Sequence, residues 1–84
     1  MEIKLEFCVV WNYTPRAVGT IEDVLEVYGN KITNIQLIPS GGGVFEFHLN
    51  GNLLFSKKEL GRHSDDGEIL KLIEEELGWV SHLI

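Results

Sequence analysis

Ile3-Lys4-Leu5-Glu6-Phe7-Cys8-Val9-Val10-Trp11-Asn12-Tyr13-Thr14-Pro15-Arg16-Ala17 carries the chain from a strand into a helix. Ile3, Leu5 and Phe7 alternate with Lys4 and Glu6, so residues 3–8 read as a half-buried strand, with Val9 and Val10 as a natural extension. Thr14-Pro15 then reads as a helix N-cap followed by proline at the first helical position, where a missing N–H costs nothing. Ala17, Val18, Ile21, Val24, Leu25 and Tyr28 recur at helical spacing, and Glu22, Asp23 and Glu26 fall largely on the opposite face. Gly29-Asn30 closes this helix, and Gly19 weakens it while leaving room for close packing.

Outward from that stretch, Ile32 to Ile38 reads as a second strand. Strand, helix and strand in so short a span predict a βαβ unit with parallel strands and a right-handed crossover. Pro39-Ser40-Gly41-Gly42-Gly43 is a loop. Val44 to Leu49 and Asn52 to Lys57 flank Asn50-Gly51, a strong hairpin signal because a type I′ turn needs positive φ at both central residues. Glu59 to Ser64 is polar loop, and Asp65 with Glu68 has capping-box spacing at the head of a last helix whose stripe is Ile69, Leu70, Ile73 and Leu77. The order β-α-β-β-β-α predicts an α/β sandwich, a four-stranded mixed sheet with helices packed on it.

Length and composition bound the rest. The 84 residues allow a single domain over 1–84, with a core of about 3–77 and a short apolar tail over 78–84. A chain this short buries roughly 60–65% of its unfolded surface, so its core is small. Thirteen acids against seven bases give a net charge of −6, and no basic face is in view, which argues against nucleic-acid binding. No apolar run approaches a membrane span. Met1-Glu2-Ile3-Lys4 carries no secretory signal and a single cysteine excludes an internal disulfide, so a cytoplasmic, reducing location is expected. The apolar tail gives the domain a reason to pair weakly with itself, leaving monomer or weak homodimer open.

Taken together, four stretches make the chain resemble the selenoprotein W-like group, the Rdx family of thioredoxin-like proteins. They are Cys8-x-x-Trp11-x-Tyr13-x-Pro15-Arg16-Ala17, the Pro39–Gly43 loop running into Val44-Phe45-Glu46-Phe47, the Asn50-Gly51 hairpin leading to Leu54-Phe55-Ser56-Lys57-Lys58, and the acidic start of the last helix. The resemblance covers about residues 3–77 and implies a thioredoxin-like fold with thiol redox chemistry at the first strand-to-helix turn. It also implies that the proline-bearing loop at Pro39 faces that turn. Where the family has a second cysteine or a selenocysteine, this chain has Trp11, so a dithiol cycle within one monomer is excluded.

What remains is Cys8. One reading makes it a reactive thiolate, its pKa lowered by the helix dipole and Arg16, forming mixed disulfides with glutathione as co-substrate or with a protein thiol. That would be at most a weak monothiol-disulfide oxidoreductase. The other makes it a small buried residue among Phe7, Val9 and Val10, on a protein-interaction module that has lost redox activity. Trp11 and Tyr13 offer a stacking surface or fold back on the domain; Arg16 pairs an anion or is simply solvated. Gly41, Gly42 and Gly43 precede a strand rather than a helix, which rules out a phosphate loop and leaves a flexible loop beside Cys8. His48, His63 and His82 have no zinc-like spacing, so neither a metal nor a resident cofactor is expected. Glu74-Glu75-Glu76 is a solvated helix face.

Overall fold

The period-two pattern at the start of the chain forms β1 (Glu2–Cys8) and the helical pattern after it forms α1 (Thr14–Tyr28) in a computed structural model that describes residues 1–78. A single 3₁₀ turn over Gly29–Lys31 leads to β2 (Asn34–Ser40), followed by β3 (Phe45–Leu49), β4 (Asn52–Ser56), α2 (Lys57–Leu60) and α3 (Glu68–Leu77). The sheet order is β2-β1-β3-β4. β1 runs parallel to β2 and antiparallel to β3, and β3 and β4 form the hairpin. The expected βαβ unit and mixed four-stranded sheet are therefore both present.

Register decides which side chains meet. Leu5 pairs with Leu37 on one side and Phe47 on the other; Phe7 pairs with Pro39 and Phe45. Strand side chains alternate between faces, so Ile3, Leu5, Phe7, Phe45, Phe47 and Leu49 share one face. Ala17, Ile21, Val24 and Tyr28 of α1 and Ile69 and Ile73 of α3 close over it as one buried core. The opposite face carries Lys4, Glu6, Glu46, His48 and Ser56, giving the two-layer α/β sandwich. The hairpin turn has Asn50 at φ 51° and Gly51 at φ 84°, the left-handed values that Asn-Gly supplies at low cost. Its Asn50 Oδ1 accepts from the Glu2 N–H at 2.8 Å, which ties the turn to the start of β1.

Several expectations are corrected. β1 stops at Cys8 and does not continue through Val9 and Val10, because the Asn12 N–H turns back to the Val9 carbonyl at 3.1 Å. Thr14 is the first helical residue and not the cap. The boundary falls at Tyr13, whose carbonyl accepts from Ala17 N–H, and no side chain caps the helix. Val18 and Leu25 are exposed; they lie one residue beyond the line 17-21-24-28, turned about 100° from it. Gly19 is not a close-packing position, since a Cβ there would meet nothing within 4 Å. Pro39 lies within β2 and not in a loop; β2 is an edge strand, where proline is tolerated. Asp65 does not cap α3 with its side chain: Gly67 holds the cap position, and the Asp65 N–H donates to Glu68 at 2.9 Å, forming only the return half of a capping box. Residues 57–60 form a helix where strand end and loop were expected. The tail from Trp79 lies outside the described residues.

Candidate functional site

At the end of β1 the chain leaves the sheet in a turn held by its own backbone. Cys8 N–H donates to the Val44 carbonyl at 2.9 Å and Val9 N–H to the Ser40 carbonyl at 3.0 Å. Tyr13 N–H returns to the Cys8 carbonyl at 3.0 Å, so Val9 to Asn12 bulge outward. Asn12 sits at φ 61°, a left-handed conformation that asparagine tolerates better than most residues. The Cys8 Sγ accepts the Trp11 N–H at 3.3 Å. This is the residue pair that the resemblance singled out, now joined by a hydrogen bond.

Burial separates the two. Cys8 is 0% exposed, whereas Val9, Val10 and Trp11 are 45%, 75% and 59% exposed. The Trp11 indole rests on Gly43: a Cβ at that position would overlap the ring. Gly43 also has φ +72°, so both the ring and the backbone call for glycine there. Gly42 has φ +68° but a Cβ there, as at Gly41, would meet nothing within 4 Å.

Trp11 and Tyr13 stand edge to face with centroids 6.3 Å apart. The Lys57 ammonium lies 5.9 Å from the Trp11 ring centroid and 5.7 Å from that of Tyr13, within cation–π range of both. Behind Tyr13, the His63 ring packs at 4.4 Å, and it also lies 5.7 Å from the Phe45 ring. Burial holds the His63 imidazole below the ordinary histidine pKa, and the nearby Arg16 and Lys57 charges push the same way. Its Nδ1 is buried without a hydrogen-bond partner among the described residues.

The sequence-derived set is thus partly gathered. Cys8, Trp11, Tyr13 and Gly43 meet at one turn. Arg16 points elsewhere, making a long contact to the Ser64 carbonyl at 3.5 Å and lining a cleft of about 540 Å³ between α1 and the loop before α3. That cleft is walled by Glu22, Asp23, Asp65 and Asp66, and Cys8 does not reach it. Pro39 is exposed on the sheet edge, paired with Phe7. Lys57 and His63 were missed. A signal for Lys57 existed: Ser56-x-x-Glu59 has capping-box spacing, and Ser56 Oγ does accept from Glu59 N–H at 3.1 Å, starting α2 with Lys57 as its first residue. A lone histidine in a polar loop offered none.

A cysteine at the end of the first strand, a helix following it, and a parallel second strand with a returning hairpin define a thioredoxin-like protein. The model of the Rdx family matches residues 2–75, and the chain belongs to that family; it is a thioredoxin-like member of a redox family. Among solved structures, a Bordetella parapertussis protein is similar with a TM-score of 0.83 and 23% identity, covering 89% of this chain and 95% of that one. A selenoprotein W-related protein from Vibrio cholerae is similar with a TM-score of 0.82 and 22% identity, covering 88% of this chain and 92% of that one. These likenesses bear on the fold. No curated protein matches the chain. No helix among the described residues is long and apolar enough to cross a membrane.

Proposed function

We propose that this protein is a partner-binding member of its redox family, docking other proteins through the turn where the second redox residue would stand. One contrast carries the reading: Cys8 is 0% exposed while the adjoining Val10 and Trp11 are 75% and 59% exposed. Thiol exchange needs a thiolate and access to it, and a buried cysteine is inert. An exposed tryptophan is a common interface anchor. On this reading Cys8 is a packing residue and the turn is the contact surface.

A second reading is favoured by one observation, the Trp11 N–H donated to Cys8 Sγ at 3.3 Å. That contact brings the residue at the second redox position onto the sulfur that thiol exchange would use. With the turn opened, the Cys8 thiolate would attack the disulfide of oxidised glutathione or of a protein, forming a mixed disulfide and releasing one thiolate. An outside thiol would then attack that mixed disulfide and restore Cys8.

Intact-mass measurement of glutathione adducts across pH separates the two, with Cys8→Ser as control. We expect no adduct on the native protein and rapid modification once denaturant is added. Rapid native modification well below the ordinary cysteine pKa of about 8.5 would put monothiol exchange first.

A further inference from the structure

We infer that the partner surface at the Trp11 turn recognises an acidic peptide segment of another protein, an apolar side chain covering Val10 and Trp11 and a carboxylate meeting Lys57. The inference deepens the binding reading and rests on it. Its basis is the local charge around the aromatic rings, which runs against the charge of the whole molecule. The chain carries a net charge of −6, yet the charge in contact with the Trp11 and Tyr13 rings is the Lys57 ammonium.

Lys57 has no salt-bridge partner among the described residues. Among the described residues the salt bridges are those of Arg62 with Asp65 and Glu68, so the nearby Arg62 charge is already matched. Lys57 rests instead on the two aromatic rings, while Arg16 lines the separate cleft with Glu22, Asp23, Asp65 and Asp66 and takes no part here. A ring face holds an ammonium in place without cancelling its charge, so Lys57 stays free to pair a carboxylate that arrives alongside. The arrangement is that of an interface in miniature: apolar anchors at the centre and a charged rim that selects the partner. The thirteen acids elsewhere on the chain favour basic partners at long range, so preference for an acidic segment has to arise at this turn.

The test uses a phage-displayed library of random 12-residue peptides, selected on the immobilised protein and counter-selected on Trp11→Ala and Val10→Asp. Val10 is the most exposed of the turn's apolar residues, so its replacement keeps the comparison valid if Trp11→Ala folds poorly. Peptides that need this turn should be net acidic with at least one apolar or aromatic residue. The strongest of them, made synthetically, should lose about tenfold or more in Kd on Lys57→Glu, retain binding on Lys57→Arg, and weaken as salt rises. Turn-dependent peptides that are neutral or basic, or a Kd indifferent to Lys57→Glu, would overturn the acidic assignment while leaving the turn as a docking surface. Selection of no turn-dependent peptide would remove the binding reading and this inference with it.

Discussion

At the scale of single residues, Gly43 and Trp11 act as one unit. The indole occupies the space where any Cβ at position 43 would project, and the backbone there holds φ +72°. Gly43→Ala therefore combines left-handed strain with displacement of the ring. A cost of about 1–3 kcal/mol in urea unfolding is expected, from the strain of a non-glycine residue in that region. Gly41→Ala, with no positive φ and nothing within 4 Å of a Cβ, should be close to neutral. Equal stability of the two variants would refute this account of Trp11's seat. The family-like Gly-rich stretch was legible in the chain; which of its glycines matters was not, because that depends on where an indole from another segment comes to rest.

At the scale of elements, Ser56 joins the hairpin to the site. Its hydroxyl donates to the buried Glu46 carboxylate at 2.5 Å and accepts the Glu59 N–H at 3.1 Å, so one side chain both satisfies a buried acid and caps α2. Lys58 N–H is a second, longer donor to Glu46 at 3.4 Å. Ser56→Ala should cost about 2–3 kcal/mol by equilibrium unfolding, more than the typical ~1 kcal/mol for a cap alone, since Glu46 is left short of its nearest donor. It should also loosen Lys57 at the first position of α2, visible as a changed environment of the Trp11 indole resonance in NMR. A loss no larger than a simple cap would mean that water replaces the serine at Glu46. The hairpin itself was legible from Asn50-Gly51. Its β4 strand was harder to delimit: β4 carries an irregularity, Phe47 pairing with Phe55 and His48 with Leu53, so that Leu54 is skipped. Such a bulge shifts which residues face the core without leaving a local sequence signal.

At the scale of the whole molecule, acid stability follows from His63, in the loop that joins α2 to α3, and Glu68, the first residue of α3. His63 has its pKa lowered in the fold below 6.5, so protons favour the unfolded chain; its contribution is complete above pH 6.5 and is lost as pH falls through the folded value. Glu68, held by a bidentate pair with Arg62 at 2.8 and 2.9 Å, has its pKa lowered from 4.5 to about 2 and loses its contribution as pH falls across that window. Unfolding free energy measured in urea should therefore fall in two steps on acidification, and His63→Phe should remove the first alone. A His63→Phe profile parallel to the parent's between pH 7 and 5 would show that the imidazole is not held neutral by the fold. The chain announced its elements plainly: alternation in residues 3–8, the helical line 17-21-24-28, and Asn50-Gly51 are preferences encoded within a few neighbouring residues. The burial of Cys8, the seat of Trp11 on Gly43, and the meeting of Trp11 with Lys57 and His63 arise where distant segments are brought together by sheet register and by the closing of a helix over one face. Torsional preference and hydrophobic period act along the chain and can be read there; contact between side chains is a property of the packed sheet, and only the folded molecule decides it.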